Sequence, residues 1–350
     1  MDLTLFQKPQ VNLARSTTDR MRLLCAAAFL AIFQSSLDDS FRSLFLAAAV
    51  LAGALIVELL FNLKNRYWSI RDGSAAASAM VLALLLPNQL NPLLGFFGGA
   101  FAMAVIKHSY GGLGSNWVNP AAGGWLFIRI TWPSAFNGSL ENSQLVRLAL
   151  SVEKGLEDPL GSPLSMLKIN GWESGSLDNL LSGFFNNTVF SFTGTRLPEG
   201  YLSFFSAPGP GIIADRGLLF LILGTMIFAA SRSFRFWVPA VFLAVYLFLV
   251  RIFGALPFGG GLWNGDILFG LLSGGTVAAA FILLTDPATG PKSSPGYLVY
   301  IFLTALFAFL FRFPGNEPYG VIEAVLLGNI LVPLIRRLEN KLYYEKRRMV

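Results

Sequence analysis

The chain has 350 residues, 54% hydrophobic and 13% charged, about half the charged fraction of a soluble domain, with mean hydropathy +0.59 and net charge +6. A single cysteine, Cys25, excludes an intrachain disulfide and any iron–sulfur or zinc site built by this chain alone, and a single histidine, His108, excludes a His cluster for metal or haem. In so apolar a chain the positive charge is an orientation signal in a membrane, not a nucleic-acid footprint, and redox chemistry requires an organic cofactor or a partner's metal.

Residues 1–21 are polar and carry Lys8, Arg15 and Arg20, which does not read as a signal peptide. A spanning helix needs about 20 mostly apolar residues. Ten stretches meet that pattern: 21–37, 42–62, 74–91, 92–107, 117–135, 216–231, 235–254, 265–285, 296–312 and 319–338. The third is short because Pro87 cuts the apolar run Met80–Leu86, and a tight turn over Pro87–Pro92 joins it to the fourth.

With the amino end placed inside, 17 of the 26 Lys and Arg fall on the cytoplasmic side, including the basic tail Arg336–Arg348. The expected topology is therefore a multi-pass inner-membrane protein, N-in and C-in. Residues 136–215 form the only long polar segment, with eight acidic and four basic residues, and face the periplasm in this arrangement.

The two halves resemble one another. Ser69-Ile-Arg-Asp72-Gly-Ser leads into an apolar helix, and Trp263-Asn-Gly-Asp266 leads into another that ends at Asp286-Pro287. Five helices per half require the second copy to be inserted upside down, the plan of transport proteins with midplane sites. The expected fold is all-α, ten transmembrane helices in two inverted five-helix repeats. Residues 1–135 form the first repeat, 136–215 the periplasmic loop, and 216–350 the second repeat with its basic tail.

Four segments carry candidate chemistry. In Lys107-His-Ser-Tyr-Gly-Gly-Leu-Gly114-Ser-Asn116-Trp-Val-Asn119-Pro120, glycines precede a helix start and let backbone N–H groups approach a ligand. The same residues also read as a plain turn capped by Asn119 with Pro120 at the first helical position. Ser273-Gly-Gly-Thr276 through Ala280 is small enough for close helix packing or for a flat ring, and Asp286-Pro287 ends that helix. In the segment from Arg312 to Leu334, Glu323 and Asn329 are intramembrane polar residues and hence functional candidates, although Glu323 is near enough to the end to snorkel. Phe192-Thr193-Gly194-Thr195-Arg196-Leu197-Pro198 by itself is an ordinary loop sequence.

Taken together these segments resemble the RnfD and NqrB family. The family's Asp-x-Ser-Ala is similar to Asp72-Gly73-Ser74-Ala75, and its Lys-x-x-Tyr-Gly-Gly-Leu-Gly-x-Asn-x-x-Asn-Pro-Ala to Lys107–Ala121. Its Ser-Gly-Ala-Thr…Thr-Asp-Pro-Val-Thr is similar to Ser273–Thr289, with Gly275 in place of Ala. Its Gly-Val-x-x-Ala-Val-Leu-Leu-x-Asn-x-x-x-Pro-Leu-Ile is similar to Gly320–Ile335.

The resemblance implies a fold like that of urea and ammonium channels. It also implies electron transfer between ferredoxin and NAD coupled to Na⁺ or H⁺ movement, in a complex with the other Rnf subunits (A, B, C, E and G). It implies FMN joined through its phosphate to a Thr of the outer loop, where Thr195 is the best positional match and Thr193 the runner-up, and a second, noncovalent flavin such as riboflavin. The acceptor motif departs from the family pattern: its Asp is absent, Gly194 replaces Ala and Phe192 takes the Ser/Thr position. Candidate ion-path residues are Asp72, Asn119, Asp266, Asp286, Glu323 and Asn329. The rival readings are a small-solute channel or carrier on the same fold, and a redox-complex scaffold without covalent flavin.

Overall fold

The computed structural model describes residues 16–65, 69–136, 176–192, 201–206, 211–231, 234–258 and 260–348. Among them the architecture is all-helical, with one isolated antiparallel bridge between Pro87 and Ile212. Each of the ten expected apolar stretches carries helix. The first half contains α1 (Thr17–Asp38), α2 (Arg42–Asn65), α3 (Ser74–Leu85), α4 (Pro92–Phe101) and α5 (Pro120–Thr131). The long polar segment contributes α6 (Ser176–Thr188), while Thr193 and Thr195 lie outside the described residues. The second half contains α7 (Leu218–Ala230), α8 (Trp237–Phe253), α9 (Ile267–Leu272), α10 (Thr276–Ala278), α11 (Ser294–Arg312) and α12 (Gly320–Arg348). Among the described residues three helical spans, Thr17–Leu37, Arg42–Leu63 and Ser294–Arg312, are each long and apolar enough to cross a bilayer.

Several stretches depart from simple spans for local reasons. α3 stops at Leu85, two residues before Pro87, because the residue preceding a proline is driven to extended geometry, and Leu86 is extended. α4 does not end at Phe101 but widens into a π-helical turn, Ala102–Lys107. α5 starts late, at Pro120, because Gly111, Gly112 and Gly114 all adopt positive φ and form a loop. The stretch expected as one helix over 265–285 is broken. Ser273–Gly275 separate α9 from α10, Gly274 and Gly275 have φ of 67° and 69°, and α10 continues as a π-turn to Leu283. The Asp215 carboxylate accepts the freed Gly274 and Gly275 amides, each at 2.9 Å. α12 runs through Pro333 and past the expected end at 338 to Arg348; its charged tail consists largely of strong helix formers.

The bundle is packed backbone against backbone. A Cβ added to Gly53 on α2 would lie 2.1 Å from the Phe96 carbonyl oxygen on α4, and one added to Gly99 on α4 would lie 2.2 Å from the Val50 carbonyl oxygen. α1 meets the start of α7 in the same way: a Cβ on Gly217 would lie 2.0 Å from the Ala31 carbonyl oxygen. With little hydrophobic driving force between helices in lipid, such close approach supplies the attraction. Gly99→Ala is accordingly expected to destabilise the protein by roughly 1–3 kcal/mol through overpacking. A thermal melt of the detergent-solubilised chain measures it, and an unchanged melting temperature contradicts this account of the α2/α4 seam.

Candidate functional site

A cavity of about 430 Å³ opens where α1, α3, α5 and the end of the α10 π-turn converge. The start of α3 supplies a floor of small residues, Ser74, Ala77 and Ser78, and the glycine loop supplies Gly114 and Asn116. A Cβ on Gly112 or Gly114 would meet nothing within 4 Å, so these glycines are required by their positive φ and leave open space beside the loop. Asn119 joins the two halves of the wall. Its side-chain oxygen accepts from the Ala121 amide at 3.0 Å, capping α5, while its Nδ2 donates to Asp286 Oδ2, also at 3.0 Å. Asp286 is further held by the Ala288 amide at 3.0 Å and the Thr289 hydroxyl at 3.3 Å. Burial nevertheless pushes its carboxyl above the usual carboxylate range, against those hydrogen bonds and the pull of Lys292. Asn116 is buried in the cavity wall, and its side-chain oxygen has no hydrogen-bond partner among the described residues.

Beside the cavity lies a charged cluster that the sequence reading missed. Glu58 on α2 is fully buried, with its two oxygens directed to different basic side chains. Lys107 Nζ is 2.7 Å from Glu58 Oε1 and donates to Ser74 Oγ at 2.8 Å, and His108 Nε2 is 2.8 Å from Glu58 Oε2. The His108 ring stacks on Phe61, with centroids 4.2 Å apart. The π-turn ends at Lys107, which lies buried in the cavity lining. One signal was available: Glu58 is the only charged residue between Arg42 and Lys64, inside an otherwise spanning helix.

A second buried cation sits at the α9–α10 break. Arg312, at the end of α11, donates to the carbonyls of Ser273 (2.8 Å) and Gly270 (3.1 Å) and to the Thr276 hydroxyl (2.8 Å). It also donates to the Tyr246 hydroxyl at 3.3 Å and to the Ser273 hydroxyl. Its guanidinium lies over the Phe269 and Phe313 rings, 5.3 and 5.9 Å from their centroids. Lys107 on Ser74 and Arg312 on Thr276 are each a buried cation donating to a hydroxyl at a helix start. In each case the hydroxyl residue follows a glycine with left-handed φ, Gly73 or Gly275.

The expected ion-path residues occupy several places. Asn119 and Asp286 meet in the cavity wall. Asp72 accepts from the Ser74 amide at 2.7 Å at the start of α3, and Asp266 caps α9 through the Phe269 amide at 3.0 Å while bonding the Tyr201 hydroxyl. Glu323 lies half-buried in the first turn of α12. Asn329 is fully buried and accepts from the Tyr300 hydroxyl at 2.9 Å. None of these four lines the cavity.

Long apolar helices, a helix broken at glycines and a buried lysine, Lys107, in the lining of a largely apolar cavity define a helical membrane protein with an internal site. The chain belongs to the NQR2, RnfD, RnfE family, whose sequence model matches residues 4–345. Over 346 residues it is 26% identical to the D subunit of the proton-translocating ferredoxin:NAD(+) oxidoreductase complex of Clostridium ljungdahlii, covering 99% of this chain and 97% of that one. The D subunit of the Na(+)-translocating ferredoxin:NAD(+) oxidoreductase complex of Acetobacterium woodii is 26% identical over 345 residues, 98% of this chain and 96% of that protein. Its counterpart in the ion-translocating oxidoreductase complex of Vibrio cholerae is 27% identical over 345 residues, 96% and 97% of the respective chains.

Proposed function

We propose that this chain is the membrane D subunit of an ion-translocating ferredoxin:NAD⁺ oxidoreductase, tying electron transfer to Na⁺ or H⁺ movement and working with the A, B, C, E and G subunits of an Rnf complex. The observation that carries this reading is the family match from residue 4 to 345, with relatives that are D subunits of such complexes aligned over nearly their whole length. Ten spans in two inverted repeats, N-in and C-in, follow from the same reading. The repeats are supported by the Lys107–Ser74 and Arg312–Thr276 contacts, each on a hydroxyl residue that follows a left-handed glycine, and the orientation by the Lys and Arg count.

The cavity suits a noncovalent flavin. Its volume lies within the ~300–1,000 Å³ of small-molecule sites. Its small-residue floor leaves room for a flat ring, and Asn116 in its wall carries a side-chain oxygen with no hydrogen-bond partner among the described residues. A bound flavin supplies one- and two-electron transfer, which none of this chain's side chains provides. Asn116 and Asn119 would hold its polar edge. A second flavin, FMN tethered through its phosphate, is assigned to Thr195 with Thr193 as runner-up, on the sequence match alone.

Lys107 is the coupling element. Its ammonium is shared between Ser74 and Glu58 at the cavity wall, so added negative charge in the cavity competes with Glu58 for it. Glu58, which His108 also contacts, is the buried carboxylate whose charge balance that competition changes. Asn119, Asp286 and Asn329 are the path candidates best supported by burial. The test is ferredoxin-dependent NAD⁺ reduction and ion uptake in inverted vesicles from cells with and without this chain. Loss of both together is expected, and retention of both without the chain contradicts the assignment. In-gel fluorescence is expected to disappear with Thr195→Ala and persist with Thr193→Ala; the reverse moves the acceptor to Thr193, and a dark wild-type band from cells making the flavin transferase removes it.

A further inference from the structure

A second cavity, of about 340 Å³, adjoins the first and shares with it Arg20, Phe234, Thr285, Pro287 and Lys292. Three cations from separate segments line it: Arg20 from α1, Arg235 from the start of α8 and Lys292 from the loop before α11. Among the described residues no acidic one lines it. A fourth cation, Arg336 on α12, reaches the neighbouring Gly290 carbonyl at 2.9 Å. Among the described residues none of these four forms a salt bridge. Lys292 donates to the Pro287 carbonyl at 2.8 Å, and the Arg235 guanidinium lies 5.3 Å from the Tyr297 ring centroid. The Nε atoms of Arg20 and Arg336 are buried with no hydrogen-bond partner among the described residues. Asp286 of the adjoining cavity feels the charge of Lys292 but is hydrogen-bonded by Asn119, Ala288 and Thr289, and Glu339 is bonded by Ser293.

Orientation charges alone would be expected to spread over the membrane face. Here they converge on one concavity, next to a small-molecule cavity, with donors already turned by carbonyls and a ring. Fixed guanidinium and ammonium groups around a pocket without acids form a receptor for a phosphate group. We propose that this basin binds the phosphate of an anionic ligand. That phosphate belongs to the headgroup of an anionic phospholipid, because the noncovalent flavin of the reading above, riboflavin, carries none; a mononucleotide flavin with its ring in the adjoining cavity is the source the test sets against it.

The test uses the full-length chain, stripped of noncovalent flavin, in nanodiscs of phosphatidylcholine. FMN and riboflavin are titrated by fluorescence, and retention of added phosphatidylglycerol is followed by native mass spectrometry. Wild type is expected to retain phosphatidylglycerol and to bind FMN and riboflavin alike; FMN bound roughly tenfold more tightly, the scale of one or two charge-assisted contacts, assigns the phosphate to a mononucleotide flavin instead. Arg235→Gln with Lys292→Gln is expected to abolish phosphatidylglycerol retention, while an unchanged melting temperature reports the fold. Lys292→Arg keeps the retention, and Arg42→Gln, which does not line the basin, controls for net charge. Equal FMN and riboflavin binding, with phosphatidylglycerol retained by wild type and lost from the double variant, assigns the phosphate to lipid. Lipid retention with no flavin binding at all overturns the flavin reading and leaves the phosphate site standing. If FMN preference and lipid retention are both indifferent to the double variant, the basin is no phosphate site.

Discussion

Lys107→Met is expected to cost about 3–5 kcal/mol of stability, because it takes away the ammonium that faces the buried Glu58 carboxylate. The pair is fully enclosed, so solvent screening does not soften the loss. Breaking a buried ion pair from one side is far more damaging than removing it whole. The double variant Glu58→Leu with Lys107→Met should therefore recover most of the lost stability, His108 keeping its stack on Phe61. Thermal unfolding of the three proteins measures this. A double variant no more stable than Lys107→Met would show that packing, not charge pairing, sets the cost. The same double variant should fold yet fail to couple electron transfer to ion uptake, since the shared ammonium is gone.

Arg312→Met carries the second large effect, roughly 2–4 kcal/mol, from buried oxygens at the α9–α10 break that lose a charged donor at about 1–3 kcal/mol each. The Gly270 and Ser273 carbonyls keep the Thr276 hydroxyl, 2.9 Å from each, which limits the loss. Arg312→Lys should recover only part, because an ammonium cannot fork across Ser273, Gly270 and Thr276 together. Thermal melts together with proteolysis at the break report it. Full recovery by Lys would mean that charge alone, without the planar fork, holds the break.

The helices were legible because lipid exposure writes long apolar runs into the chain, and each of the ten runs carries helix. The caps were legible too: Asn119-Pro120 reads as a helix start, and the Asn119 side chain caps α5. Long-range partners were not. Glu58 and Lys107 are 49 residues apart, and no local pattern states that a π-turn places one against the other. Arg312 reads as a charge at the end of a span, and only the fold brings the residue 273–275 break onto it. Gly274-Gly275 reads as close packing because small residues serve packing and helix breaking alike; the left-handed φ and the Asp215 cap decide between them. Asp72 and Asp266 were conspicuous as charges near the membrane, and each uses carboxylate oxygen to accept a helix-start amide.

The most direct measurement is flavin released by denaturing the assembled complex containing this chain with both Thr193→Ala and Thr195→Ala, compared with the same chain also carrying Asn116→Leu. If the helical cavity cradles isoalloxazine, the first complex still yields flavin from this chain and Asn116→Leu removes most of it. Should the first complex yield none from this chain, the cavity has no flavin and the coupling role assigned to Lys107 goes with it.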